Sequence, residues 1–309
     1  MEHTILQLFP EERRSFWQQT AQSQQSVQEI RLRTQRPIVI HTQGRELFLG
    51  RDGSFTEDVG RAYCASAEEL EEILQHICQY SLYAFEEEIR QGFITVRGGH
   101  RVGIAGQAVL AGDGTLRVIR NISYMNIRIA HEVRGAADHV LDKVYHSGSL
   151  KNVLLISPPG CGKTTLLRDL IRQVSDGNPY GKGMTVGVVD ERSELAGTFC
   201  GMAQNDLGMR TDVLDACPKA LGMLLLLRSM SPQVIAIDEL GSQEELVHLR
   251  SAAACGCRIL ATVHGENLED VRRRFGPGEN WEDLFDLFFL LGKRDGRCEV
   301  RDICKRGEG

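Results

Sequence analysis

The segment from Val153 to Val174 constrains this chain more than any other. Four apolar residues, Val153-Leu154-Leu155-Ile156, read as a short buried strand. They run into Ser157-Pro158-Pro159-Gly160-Cys161-Gly162-Lys163-Thr164-Thr165, and a helix is expected from Lys163 to about Val174. Strand, glycine-containing loop and helix in that order are what a phosphate cradle requires. Gly160 and Gly162 let successive backbone N–H groups turn inward, and the helix N-terminus adds unpaired donors and a favourable dipole. Lys163 carries a flexible positive charge to the β- and γ-phosphates, Thr164 offers a hydroxyl to Mg²⁺, and Thr165 reaches the α-phosphate side. The loop departs from the usual form at its first position, where Ser157 stands in place of glycine. The turn then rests on Pro158, Pro159 and Gly160, and the two prolines stiffen it. The whole stretch Ser157 to Thr165 is expected to bind ATP or a close relative, with Mg²⁺ as cofactor, and to support hydrolysis.

Chemistry-bearing residues recur at the ends of further apolar strands. Val234-Ile235-Ala236-Ile237 ends in Asp238-Glu239. Asp238 is the expected metal residue opposite Thr164, and Glu239 is placed to orient or deprotonate the attacking water. Val188-Val189 ends in Asp190-Glu191-Arg192, where either acid can polarise water or shape the magnesium site and Arg192 can approach the phosphates. The residues alone leave open whether Glu191 or Glu239 is the main base. A fourth strand closes in Thr262-Val263-His264-Gly265, with His264 placed to sense the γ-phosphate and Thr262 to make a local hydrogen bond. Ligands gather at the carboxyl ends of parallel strands, so all these groups are expected at one crevice. Between them the pattern predicts a buried helix over Lys219 to Met230, helices over Gln243 to Ala254 and around Leu268, Val271 and Phe275, and a closing hairpin of Leu284 to Leu291 with Glu299 to Ile303. Alternating strands and helices imply a parallel sheet covered on both faces.

The first half of the chain reads as a smaller α/β domain. Glu11 to Gln28 is polar and glutamine-rich, a surface helix or a loosely held arm, so residues 1–25 are set apart as a flexible segment. Glu29 to Arg33 alternates as a half-buried strand does, and Ile38 to Ile40 follows after Pro37. Leu70, Ile73, Leu74 and Ile77 form one helical stripe, with Ser66 and Glu69 as a capping box. A second short helix is expected from Tyr83 to Arg90. Phe93 to Val96 and Arg101 to Leu110 pair as strands across Gly98-Gly99, and Leu116 to Ile119 adds another. Asn121 to His131 reads as a connection and Glu132 to Val144 as a helix leading onward. These features divide the chain into an N-terminal α/β domain, 1–135, and a phosphate-loop domain, 136–309.

Bulk properties narrow the classes. Of 309 residues, 42 % are hydrophobic and 25 % charged, a globular composition. The net charge of -6 supplies no global attraction to nucleic acid or anionic lipid. Nine cysteines without a repeating spacing read as free thiols of a reducing cytoplasm. The N-terminus lacks the order of a signal peptide, and Leu221 to Leu227, the most apolar run, is too short to span a bilayer.

Phosphate loop, acidic box, magnesium strand and histidine box, in that order, resemble the secretion-type ATPases of the RecA-like P-loop class. The matching residues are Ser157 to Thr165, Asp190 to Arg192, Ile237 to Glu239, and His264. A closer resemblance, to the sporulation branch of that class, is carried by Glu29 to Arg33, Gly99 to Gly106, Asn126 to Ala130, the Ser-Pro-Pro loop and Val189 to Leu195. It covers roughly residues 25 to 305, and so both domains. The resemblance implies an α/β fold, a RecA-like P-loop NTPase domain with a smaller N-terminal α/β domain. It further implies a mother-cell, cytoplasmic ATPase of the channel apparatus between mother cell and forespore. Such an enzyme acts as a homo-oligomeric ring, a hexamer, on integral membrane protein partners, with no nucleic acid and no membrane span of its own. In such enzymes the N-terminal domain lends arginines to the nucleotide; Arg120 and Arg128 are the first candidates here, with Arg101, and Arg210 from the second domain. Two other readings stand beside it. A nucleic-acid-stimulated RecA-like ATPase would use the basic residues Arg31, Arg33, Arg36, Arg90, Arg97 and Arg101, although no interleaved aromatic platform accompanies them. A nucleotide-gated scaffold would bind ATP with little turnover.

Overall fold

Separate hydrophobic clusters divide the chain into two units. In the computed structural model, which describes residues 4–81, 85–276, 280–294 and 297–306, one unit is Met1–His131 with Gly197–Gln204, and the other is Glu132–Ala196 with Asn205–Gly309.

The first unit opens with two 3₁₀ turns, Thr4–Leu8 and Glu11–Arg13, and a short helix α1 (Gln18–Gln22). The expected loose arm is in fact packed: Ile5, Leu8, Phe9, Trp17 and Ala21 are buried, and the Phe9 and Trp17 rings stack with centroids 3.9 Å apart. Large apolar groups here are few, but stacking lets two of them anchor an otherwise polar segment. There follow β1 (Val27–Arg33), β2 (Val39–Thr42), β3 (Arg45–Leu49), β4 (Phe55–Thr56), helices α2 (Ala67–Ile77) and α3 (Glu86–Gln91), and strands β5 (Phe93–Val96), β6 (His100–Leu110) and β7 (Leu116–Arg128). They form one antiparallel sheet in the order β4-β3-β2-β1-β7-β6-β5. The capping box of α2 is present in both directions, Ser66 accepting from the Glu69 N–H and Glu69 from the Ser66 N–H. The helix buries Leu70, Ile73, Leu74 and Ile77 in the core of this unit. Of the helix expected from Tyr83, the first residues lie outside those described and the remainder is α3. The supposed connection Asn121 to His131 is mostly strand: β7 continues to Arg128, because β1 and β6 pair with it on both sides and satisfy its backbone.

The second unit contains α4 (Leu141–Val144), a small ribbon of β8 (Tyr145–His146) and β9 (Ser149–Leu150), then β10 (Val153–Ser157) and α5 (Lys163–Asp176). A second ribbon, β11 (Gly177–Asn178) with β12 (Gly181–Lys182), leads to β13 (Val186–Asp190) and β14 (Thr211–Asp215). Then come α6 (Lys219–Ser229), β15 (Val234–Ile237), α7 (Gln243–Ala254), β16 (Arg258–His264), α8 (Leu268–Phe275), β17 (Leu287–Arg294) and β18 (Arg297–Lys305). The sheet order is β14-β13-β15-β16-β10-β17-β18, parallel throughout except for β18. Two apolar clusters line its two faces, one with Leu166, Leu167 and Leu170 of α5, the other with Leu246 and Leu249 of α7. The parallel strands are apolar at nearly every position because both faces are covered.

Three expectations differ from the structure, at residues 132–144, at α6 and at residues 197–204, and β14 is a strand that none of them included. Helix between Glu132 and Val144 is confined to Leu141–Val144, and the residues before it form turns. Strand β14 carries no apolar signal strong enough to foresee: all five of its residues are half-buried at the sheet edge. Helix α6 is where expected but is not buried all round; Gly222, Met223 and Leu226 face inward, while Leu221 and Leu225 are exposed. The segment Gly197–Gln204, inside the span assigned to the second domain, folds with the first unit: Phe199 joins that unit's core and Gln204 accepts a hydrogen bond from the Gly98 N–H at 2.9 Å.

Candidate nucleotide site

The parallel register of β10 with β16 sets the site. Ser157, the last residue of β10, lies opposite His264, the last of β16, and β15 runs alongside β16. The phosphate loop and the side chains at the carboxyl ends of β16 and β15 therefore emerge at the same end of the sheet. Gly160 and Gly162 adopt φ of 70° and 87°, the left-handed region that glycine enters without a Cβ clash, and this lets the loop close before α5 begins. Ser157 is fully buried with an ordinary strand pairing, so the serine in place of glycine leaves the strand intact and the turn begins one residue later. Cys161 is buried in the loop and Pro159 and Gly160 are exposed.

Lys163, almost fully buried, directs Nζ to Glu239 Oε1 at 3.0 Å and lies 3.3 Å from His264 Nε2. His264 Nε2 is 2.8 Å from the same carboxylate oxygen, so Nε2 bears the proton and donates to it. Arg192 holds the other oxygen at 2.7 Å. Burial alone would raise the Glu239 carboxyl; the hydrogen bonds and charges of Lys163 and His264 outweigh it and hold that group down at about 2. Thr164 donates to Asp238 Oδ2 at 2.6 Å, and the Thr262 hydroxyl donates to the other Asp238 oxygen. The expected residues Lys163, Thr164, Asp238, Glu239 and His264 thus converge.

Glu239 sits at a φ of 56°, a conformation that costs a non-glycine residue about 1 to 3 kcal/mol. Its N–H donates to Thr262 Oγ1 at 2.8 Å and its carbonyl accepts from Lys219 Nζ at 2.9 Å, which pins the strained backbone and aims the carboxylate back over the loop. Lys219 also binds Glu191 at 3.0 Å. Sequence reasoning passed over Lys219: it is a single cation at a helix start with no motif around it, and only its long-range partners mark it. Arg168 on α5 is a second omission; its guanidinium donates to the carbonyls of Leu195 and Glu194.

Asp190 does not face the phosphates as an acid or metal ligand. It is 2 % exposed, and its carboxylate accepts from the N–H groups of Glu194, Leu195 and Ala196 at 2.8 to 2.9 Å. Burial pushes its carboxyl up to about 6 against those three bonds. It is the structural knot of the turn that carries Glu191 and Arg192. Asp190→Asn exchanges an acceptor for an NH₂ group that confronts backbone donors, and should lower stability by about 2 kcal/mol in denaturant titration. A loss below about 0.5 kcal/mol would show the knot to be dispensable.

The arginine candidates are divided between the two units. Arg210 donates to the carbonyls of Ser175 and Asp176 at the end of α5, a capping role. Arg101, Arg120 and Arg128 belong to the first unit: Arg101 stacks over Phe93 with 4.1 Å to the ring centroid, Arg128 is exposed and 3.6 Å from Glu29, and Arg120 is exposed on β7.

Thr164 and Asp238 fit a magnesium ion. Both offer hard oxygen, and Mg²⁺ is held by one or two protein oxygens with phosphates and waters completing the octahedron. A cage of three or more His, Cys, Asp or Glu is not found among the described residues, and this ion does not need one.

The sequence matches the family described as sporulation stage III, protein AA, over residues 1–308. Stage III sporulation protein AA of Bacillus subtilis (strain 168) is 39 % identical over 278 residues, 90 % of this chain and 86 % of that protein. The protein SEEDLING PLASTID DEVELOPMENT 1 of Arabidopsis thaliana is 28 % identical over 149 residues, 48 % of this chain and 21 % of its own length. Among solved structures, the Legionella pneumophila ATPase DotB has a TM-score of 0.59 at 17 % identity, covering 94 % of this chain and 80 % of that one. The pilus retraction motor PilT, solved with ADP bound, has a TM-score of 0.60 at 16 % identity, covering 89 % and 80 %. At such identities the structural likeness concerns the fold: a RecA-like α/β domain with a parallel sheet and a smaller N-terminal α/β domain. No helix among the described residues is long and apolar enough to cross a membrane. A match that runs through both units, together with a relative identical at more than a third of aligned positions, shows that this chain belongs to the sporulation stage III protein AA family.

Proposed function

We propose that the chain is a Mg²⁺-dependent ATPase, converting ATP and water to ADP and phosphate, and that it works as a motor of the sporulation channel between mother cell and forespore. The observation that carries this reading is the meeting of Lys163, Thr164, Asp238, Glu239 and His264 within hydrogen-bond reach at the ends of three adjacent parallel strands. The loop N–H groups and Lys163 bind the β- and γ-phosphates. Thr164 and Asp238 hold the magnesium ion, which neutralises charge on the phosphates. Glu239 accepts the proton of the attacking water, and His264 reports the γ-phosphate to the start of α8 through the loop that follows β16. Glu191, tied to Lys219, positions that lysine and through it the Glu239 backbone.

The resemblance to secretion ATPases, and the names of DotB as an ATPase and PilT as a motor, favour a ring of identical chains that passes motion to integral membrane partners from the cytoplasm of the mother cell. The hexamer and its arginines Arg120 and Arg128 are part of this reading. The apolar outer face of α6, with Leu221 51 % and Leu225 43 % exposed at i and i+4, is suited to a second copy of the chain. Turnover per chain should rise with protein concentration, and Arg120→Ala or Arg128→Ala should lower it about a hundredfold. Leu221→Glu combined with Leu225→Glu should yield monomers in sedimentation. Turnover independent of concentration, with both arginine variants fully active, would exclude the ring.

A further inference from the structure

The hairpin of β17 and β18 runs past the sheet and lies against the phosphate loop at two points. Ile156 is level with Leu290 in the parallel pairing of β10 and β17, so Gly292 and Lys293 stand beside the loop rather than the strand. A Cβ built on Gly160 would lie 3.9 Å from Lys293 Nζ, and one built on Gly162 would lie 3.0 Å from the Cβ of Cys298. Lys293 and Cys298 are directly paired across the hairpin, so their side chains share a face, the one turned to the loop. Among the described residues Lys293 has no carboxylate partner, whereas Arg294 beside it is paired with Glu299. An ammonium held close to this glycine-containing loop, without a counter-charge among the described residues, is arranged to meet an anion.

The sheet order says which part of the nucleotide that is. Strand β10 has β16 on one side, and beyond it β15; these carry His264, Asp238 and Glu239, the groups at the γ-phosphate. Strand β17 is on the other side. Beyond Cys298 the hairpin borders an open groove whose walls include His139, Lys143, Val300 and Ile303, with room for a nucleoside. We propose that the β17–β18 hairpin is the nucleoside-side wall of the site and that Lys293 binds the α-phosphate of the bound nucleotide. This rests on the nucleotide reading of the loop given above.

Binding of Mg·ATP and Mg·ADP is measured by calorimetry on the full chain, with steady-state turnover in parallel. An α-phosphate contact is present in both nucleotides and in both ground and transition states, so Lys293→Ala should weaken ATP and ADP by the same factor, about tenfold, with kcat within about twofold. Lys293→Arg should restore most of the affinity. The side chain is exposed, so the melting temperature of Lys293→Ala should match that of the unaltered chain, separating a lost contact from a lost fold. Unchanged ADP affinity overturns the assignment, and so does a loss confined to ATP, which would place Lys293 at the γ-phosphate. Failure of the unaltered chain to bind either nucleotide would instead remove the reading of the loop, and this inference with it.

Discussion

Lys163→Ala should abolish measurable ATP turnover, a fall of about a thousandfold or more, and weaken Mg·ATP binding by at least about tenfold. Among the described residues the ammonium is the cation buried at the loop's end of α5, and the cations near it are placed otherwise: Arg192 is engaged with Glu239 Oε2, Lys219 with Glu191 and the Glu239 carbonyl, and Lys293 stands on the opposite flank of the loop. The variant has a second, independent readout. Glu239 has a folded-state value near 2 against an ordinary value of 4.5, so its ion pairing contributes stability that is present above about pH 4.5 and lost as pH falls toward 2. Removing Lys163 takes away the strongest of the groups that lower it. The stability of Lys163→Ala should therefore vary less with pH across that acid window than the stability of the unaltered chain. Retained turnover in the variant would end the enzymatic account; an unaltered acid limb would show that the observed ion pair contributes little in solution.

Glu239→Gln should separate binding from chemistry. A glutamine keeps the shape, the hydrogen bond to Arg192 through its carbonyl and the backbone at positive φ, but it accepts no proton from water. Turnover should fall by about a thousandfold. Affinity for Mg·ATP should rise, severalfold, because the carboxylate competes with the phosphates for the Lys163 ammonium at 3.0 Å and the amide competes far less. A nucleotide-gated scaffold would instead show the same slow turnover before and after the change. Glu191→Gln supplies the contrast: it loosens Lys219 and should cost turnover about tenfold at most. If Glu191→Gln proved inactive and Glu239→Gln did not, the base would have to be reassigned across the crevice.

Much of the site was legible because its chemistry is local. The loop from Ser157 to Thr165 carries its own strand, glycines, lysine and helix within a short stretch, and each acid or histidine candidate follows an apolar strand whose burial both faces of a parallel sheet enforce. The hidden part was long-range. Nothing within Asp190-Glu191-Arg192 distinguishes a buried acid that knots a turn from a reactive one; the three N–H groups that claim Asp190 belong to residues 194 to 196, and Arg168 of α5 holds the carbonyls of Glu194 and Leu195 in the same turn. Likewise the polar composition of Glu11 to Gln28 suggested a loosely held arm even with Phe16 and Trp17 in it, since periodicity weighs the many glutamines and not the stacking of Trp17 on Phe9, which lies before that stretch.

By itself the amino-acid order determined that a phosphate cradle exists, that a parallel α/β sheet presents it, and that acids and an imidazole end the neighbouring strands. Hydrophobic periodicity and glycine placement act over a few residues, and these features need no more than that. Only the tertiary structure decided that Glu239 rather than Glu191 meets Lys163, that Lys219 and Thr262 pin its strained backbone, and that Lys293 comes to the far flank of the loop. Those pairings join residues 20 or more positions apart. They are set by the order of strands across the sheet, which burial and backbone hydrogen bonding choose for the whole chain at once.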